Sequence, residues 1–297
     1  MKRSQGFGTY FANTVFWLVS ALPLRGLQAI GRFVGAVMLR LPGSYKRRAQ
    51  ENLRVALPES GEQHLAPSLR HVATLFLEMP YWYTSRDSER QIKIQADKHD
   101  WSEIDALLMQ KKGLILVSPH VGNFELLGPV FSQRHPSTVM FRVPRIRWLR
   151  EWLLHLRSQS QLQMVPADVS GVRALAKTLK AGQTIGLLPD QVPVEGEGVW
   201  APFFGRPAYT TTLIQRLQRL TDAPVVVLGA YRLPKTAGFE IKHWIIESPW
   251  PNDAVESATK LNKALEQAIL YEPDQYLWGY DRFRTPRARP GTPKPAS

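Results

Sequence analysis

The 297-residue chain contains no cysteine. That absence excludes disulfide frameworks, cysteine-based zinc sites, thiol redox chemistry and a cysteine nucleophile, and it suits a reducing compartment. Also lacking are a Gly-x-Ser-x-Gly elbow, a His-Glu-x-x-His zinc motif, a phosphate loop ending Gly-Lys-Ser/Thr and a Gly-x-Gly-x-x-Gly fingerprint. Covalent serine catalysis, zinc hydrolysis and nucleotide hydrolysis thereby lose their usual sequence support. Acidic residues are missing from both ends: none precedes Glu51 and none follows Asp281. Those ends carry eight and five Lys/Arg, so the whole net charge of +13 lies there, while residues 51–281 balance 25 basic against 25 acidic groups. Nucleic-acid readers concentrate charge on the folded surface, whereas basic ends beside apolar segments suit an anionic membrane face. No nucleic-acid partner is expected.

A long apolar run is missing as well. Tyr10 to Leu24 is apolar but is interrupted by Asn13 and closed by Pro23. As a helix it would reach about 22 Å, short of the ~30 Å hydrocarbon core. A second run places Ile30, Phe33, Val34, Val37, Met38 and Leu41 at helical spacing, with Arg32 and Arg40 able to reach lipid headgroups. The pair reads as interfacial or shallowly inserted helices, with an ordinary core helix as the alternative. With 44% hydrophobic and 21% charged residues, the remainder has enough apolar material for a sizeable core.

From Tyr45 the pattern is helical; it stops at Leu57-Pro58, then is helical from about Gln63 through Leu77 and again from Asp100 to Gln110. From Gly113 it changes to short apolar runs bounded by turn residues: Gly113–Ser118, Thr184–Leu188, Ala223–Leu228 and Phe239–Ile246. Helical stretches at Val172–Lys180, Thr211–Leu220 and Asn252–Ile269 lie between and after them. This alternation predicts an α/β fold with a central mixed, partly parallel sheet flanked by helices, preceded by an N-terminal membrane-associating segment. The expected division is 1–45 for that segment, 46–284 for the α/β domain and 285–297 for a basic, Pro-rich disordered tail.

Reacting groups in open α/β sheets collect at the carboxyl ends of strands. His120 falls there, in Ser118-Pro119-His120-Val121-Gly122-Asn123-Phe124-Glu125. On one ideal helix His120 and Glu125 would point about 140° apart, so they pair only if His120 lies on the loop and Glu125 on the next helix, a bend that Gly122 and Asn123 permit. A carboxylate on one ring nitrogen would leave the other to take a proton from a hydroxyl. Further on, six arginines from Arg134 to Arg157 face a single acid, Glu151, and suit a phosphorylated or acidic substrate. Arg142 and Arg157 are the better candidates for it; a solvated helix face accounts for Arg145, Arg147 and Arg150. Asp190-Gln191 ends another strand, in a site or in a turn. The aromatic, turn-rich segment Val199–Ala208 reads either as core or as the lining of a groove for a hydrocarbon chain.

Five blocks in order carry a resemblance over nearly the whole chain: Arg47-Arg48-Ala49-Gln50-Glu51-Asn52-Leu53, the His120-x4-Glu125 block with Asn123-Phe124-Glu125-Leu126, Leu188-Pro189-Asp190-Gln191, Phe203-Phe204-Gly205-Arg206-Pro207, and the closing run from Pro273 to Arg284. With them the chain resembles the late acyltransferases of lipid A biosynthesis, within the lysophospholipid acyltransferase superfamily. The resemblance implies an enzyme on the cytoplasmic side of a Gram-negative inner membrane. Its donor would be an acyl-acyl carrier protein, and its acceptor a hydroxyl on a phosphorylated, Kdo-bearing glucosamine disaccharide; the alternatives are an acyltransferase acting on a glycerophospholipid, an ornithine lipid or a mannosylated phosphatidylinositol, and a non-catalytic membrane scaffold. The resemblance further implies His120 as general base with Glu125 as partner, Arg157 and Asp190 in a further polar site, and no metal; taken with the residue reading, substrate contacts are expected from Arg142, Arg157, Asp190 and Asn123, and no cofactor. The sequence departs from many relatives at Phe141-Arg142, where they read Tyr-Arg.

Overall fold

The computed structural model describes residues 14, 18–19, 21–84, 97–141, 161–234 and 237–288. Among the described residues the chain leads with the helices α1 (Leu24–Arg40), α2 (Ser44–Ala56) and α3 (Gly61–Thr84). The α/β part continues as α4 (Ser102–Met109), β1 (Leu114–Val117), a 3₁₀ turn (Phe124–Leu126), α5 (Leu127–Ser132), β2 (Ser137–Phe141), β3 (Leu162–Pro166), α6 (Val169–Lys180) and β4 (Thr184–Leu187). Then come β5 (Gly198–Phe203), β6 (Arg206–Thr211), α7 (Leu213–Thr221), β7 (Val225–Arg232), β8 (Phe239–Ile246), α8 (Ala254–Tyr271) and a 3₁₀ turn (Pro273–Gln275).

Six strands form one sheet in the order β3-β2-β4-β1-β7-β8. The first five run parallel and β8 returns antiparallel along β7, so the expected mixed, partly parallel sheet is present and is parallel at all but one edge. Central β1 is buried on both sides, which is why it reads as an unbroken apolar run rather than an alternating one. Ile115 and Val117 enter a layer with Leu175 and Leu179 of α6 and Leu217 of α7, while Leu114 and Leu116 enter the opposite layer with Ile104 of α4 and Val130 and Phe131 of α5.

Helix α1 buries a narrow face, Leu27, Gln28, Gly31 and Gly35, against α3. A Cβ on Gly31 would stand 2.4 Å from Thr74 Cα, and one on Gly35 2.3 Å from Arg70 Cα, so the close approach requires glycine at both. The apolar stripe anticipated from Ile30, Phe33, Val34, Val37 and Leu41 points outward; Phe33 is 70% exposed. Among the described residues no helix is long and apolar enough to cross a membrane. Most of the run Tyr10–Leu24, and the tail from 289 on, lie outside the described residues.

Two elements differ from expectation. Helix α3 continues past Leu77 through Pro80, because Tyr81 and Trp82 bury themselves in the core, the Trp82 ring edge-on to Phe239 at 5.4 Å. Of the two readings of Val199–Ala208, core and groove lining, the structure has the first, in a regular form not anticipated: the β5–β6 hairpin, turned by Phe204 and Gly205, both with positive φ. Ala201, Phe203 and Ala208 point inward, the hairpin packing against α8, so the segment belongs to the core.

Candidate active site

The register of the sheet builds the site. Val117 of β1 pairs with Leu187 of β4, and three residues beyond each lie His120 and Asp190. Two adjacent parallel strands therefore deliver a histidine and an aspartate to the same level at their carboxyl ends. Asp190 accepts hydrogen bonds from His120 Nδ1 at 2.6 Å and from the His120 main-chain N–H at 3.0 Å. The Tyr276 hydroxyl donates to the same carboxylate at 3.2 Å. Burial pushes Asp190 upward, but the adjoining His120 charge, the hydrogen bonds from His120 and the Arg282 guanidinium outweigh it and hold the carboxyl below its usual range. Tyr276, buried beside that carboxylate, is pushed well above the usual phenol value and stays a donor. The ionised Asp190 accepts from Nδ1–H and so fixes the tautomer in which Nε2 is the free ring nitrogen, 3.1 Å from the Gln191 side-chain amide.

The loop carrying His120 is held from both sides. Leu277 N–H donates to His120 O at 3.1 Å, Val121 bridges to Tyr276, and Asn123 N–H donates to Ala230 O at 2.7 Å at the end of β7. Gly122 sits at φ +60°, and a Cβ there would lie 1.9 Å from Ala230 O, so no other residue fits. Beneath the loop lies a second polar cluster. His71 donates from Nε2 to Gly122 O (3.2 Å) and accepts at Nδ1 from Arg232 (2.6 Å). Arg232 also pairs with Glu78, which is 0% exposed and takes further hydrogen bonds from Asn123 Nδ2 and Gln28 Nε2, each at 3.1 Å. Burial, reinforced by Arg232, drives His71 well below the usual imidazole value, so it is neutral.

Nε2 of His120 opens on a cleft of about 1000 Å³. Its polar end is formed by His120, Glu125, Gln191 and Tyr83; Val139, Phe141, Leu162 and Met164 make an apolar wall, with Val169 and Val172 of α6 at the rim. A base with a fixed tautomer beside an apolar cleft can deprotonate a hydroxyl while a hydrocarbon chain lies in the cleft. Among the described residues no group of three His, Asp or Glu side chains stands together as metal ligands would.

Set against the sequence reading, His120 lies on the loop and Glu125 on the 3₁₀ turn after it, as their pairing would require. The orienting carboxylate on Nδ1, however, is Asp190 and not Glu125; the neighbouring strand presents Asp190 at the same height, while Glu125 lies in the cleft and accepts a hydrogen bond from the Tyr83 hydroxyl. Asp190 is 2% exposed and bonded to His120, so it acts on the ring rather than facing a substrate. Asn123 is wholly buried on Glu78, beneath the loop and away from the cleft. Arg142 and Arg157 lie outside the described residues. Sequence reasoning did not find Glu78, His71 or Arg232; the one available signal was a lone acid, Glu78, in the otherwise apolar Leu75–Tyr83 stretch.

Fold and site together define an α/β protein with a histidine–aspartate dyad opening on an apolar cleft. Residues 2–285 match the family model described as bacterial lipid A biosynthesis acyltransferase, and the chain belongs to that family. It is similar to the lipid A biosynthesis lauroyltransferase of Escherichia coli K12, at 29% identity over 93% of this chain and 91% of that protein. To the lipid A biosynthesis palmitoleoyltransferase of the same organism it is 26% identical, with the same coverage. A lipid A biosynthesis acyltransferase of Haemophilus influenzae is 25% identical over 91% of this chain and 90% of that protein.

Proposed function

We propose that the protein transfers a fatty acyl chain from the thioester of an acyl carrier protein to a hydroxyl of a lipid A precursor, working on the cytoplasmic surface of the inner membrane. The observation that carries this reading is the His120–Asp190 pair at the polar end of a cleft with an apolar wall, in a chain of the lipid A acyltransferase family. The acceptor hydroxyl displaces the Gln191 amide from Nε2, gives up its proton there and attacks the thioester carbonyl. Asp190 stabilises the imidazolium that forms. As the tetrahedral intermediate collapses, the C–S bond breaks, the ester C–O bond remains, and the proton passes from Nε2 to the departing sulfur. Glu125 orients the acceptor beside His120, and Arg142 and Arg157 bind its anionic groups. The outward apolar stripe of α1, with Arg32 and Arg40 beside it, rests on the bilayer.

The test is mass spectrometry of lipid A from cells with and without the gene, restored with wild type or with His120→Ala. Loss of one acyl mass on deletion, restored by wild type alone, is the expected outcome. An unchanged lipid A with an acyl group missing from another lipid overturns the acceptor, and a fully active, folded His120→Ala protein overturns the mechanism.

A further inference from the structure

The outward faces of α6 and α7 carry charge of one sign. Arg173, Lys177 and Lys180 stand exposed along α6 at spacings of four and three, forming a stripe about 10 Å long. Beside it α7 exposes Arg216 and Arg219, and neither helix contains an acidic residue. Elsewhere on the surface several cations are matched: Arg54 with Glu62, Lys112 with Asp222, Arg134 with Asp105, Lys242 with Glu240. Among the described residues none of the five on α6 and α7 has a carboxylate partner; Arg219 is turned onto Asn252, at 2.7 Å from its side-chain oxygen. In a segment where acids and bases are equal in number, five unmatched cations on two adjacent helices form a local field.

The position of this field relates it to the reaction. Both helices begin at the cleft: Val169 and Val172 from the first turns of α6, and Leu213 and Arg216 from α7, line it. The stripe therefore starts at the cleft rim and runs outward. The exposed large apolar residues of this face are two, Val169 at the start of α6 and Leu220 near the end of α7, rather than a row of the kind that α1 exposes, so it offers a partner chiefly charge.

Resting on the donor proposed above, we infer that the α6–α7 face is the docking surface for the acidic carrier protein that brings the acyl thioester. The carrier's acidic side lies along Arg173, Lys177 and Lys180, and its acyl arm enters past Arg216. Charge complementarity of this kind acts on encounter and positioning, so it is read in KM and its salt dependence.

The experiment uses the full chain with its lipid acceptor and acyl carrier protein as donor, comparing wild type with Arg173→Glu/Lys177→Glu/Lys180→Glu. The variant is expected to melt where wild type does, to raise KM for the carrier about tenfold or more, and to lose most of the salt dependence of that KM, with kcat changed by less than about twofold. A carrier whose surface acids are exchanged for lysine should recover the loss with the variant and not with wild type. Binding to vesicles of anionic phospholipid should be unaltered. An unchanged KM for the carrier overturns the inference, and loss of vesicle binding with that KM unchanged assigns the stripe to lipid instead. If wild type takes acyl groups only from a coenzyme A thioester, the proposed donor itself fails, and the docking surface with it.

Discussion

His120 is carried on a loop and His71 lies beneath it, and only His120 is placed to do chemistry. His71 has both ring nitrogens engaged, one by Gly122 O and one by Arg232, and the guanidinium beside it makes a second positive charge unfavourable. His120 has a carboxylate on Nδ1, able to stabilise a positive ring as it forms, and its Nε2 faces a cleft through a side chain, Gln191, that can move aside. The two rings differ in the sign of the neighbouring charge and in whether a lone pair reaches an open space. A histidine in a strand-loop-helix context says little until both are known.

His120→Ala should break that contrast most severely, lowering kcat about 10⁴-fold with the melting transition unchanged, as measured by acyl transfer from the carrier protein. On the structural side, Glu78→Ala strands the Arg232 charge and should cost about 3–5 kcal/mol in denaturant unfolding. Replacing Glu78 and Arg232 together by methionine should cost less than either single change, because no buried charge is then left alone. Asp190→Asn keeps the shape but offers Nδ1 an amide, and should lower kcat about 10²–10³-fold with KM little changed. The finest distinction is pH. The folded value of His71 is depressed, so the native state refuses a proton that the unfolded chain takes up below about 6.5. Its contribution to stability is fully present above that pH and is lost as pH falls below it. Between pH 7 and pH 5, His71→Gln should therefore lose about 1–2 kcal/mol less than wild type in urea unfolding.

Much of this architecture is legible in the residues. The runs containing β1, β4 and β7 are visible because buried parallel strands are short, apolar and bounded by turns, and the antiparallel β8 matches the run Phe239–Ile246 from end to end. β3 escapes because Leu162–Pro166 is partly exposed and carries only Leu162, Met164 and Val165 as apolar residues. The β5–β6 hairpin escapes because Pro202 and Pro207 interrupt the strand pattern, although Phe204-Gly205 is a two-residue turn of the length that hairpins favour. The partner of His120 could not be read from spacing. Seventy positions separate it from Asp190, and only the order of strands, with β4 beside β1, brings them together. Glu125, five residues away, is the nearer carboxylate in sequence but lies on the cleft side of the ring system, held by Tyr83.

The segment that closes over His120 has a consequence for how the protein is made. Tyr276 on Asp190, Leu277 on the His120 carbonyl and Gln275 on both Gly122 and Arg232 are among the last described residues to leave the ribosome. His120, Asp190 and the strands beneath them are synthesised far earlier, yet the loop has no lid on one side until these three arrive. A nascent chain that has not reached Gln275 already contains His120 and Asp190, but not the residues that hold their loop from this side. The geometry of the His120 loop thus waits on residues made about 155 positions after it, and a stop before Gln275 should leave that loop open on one side.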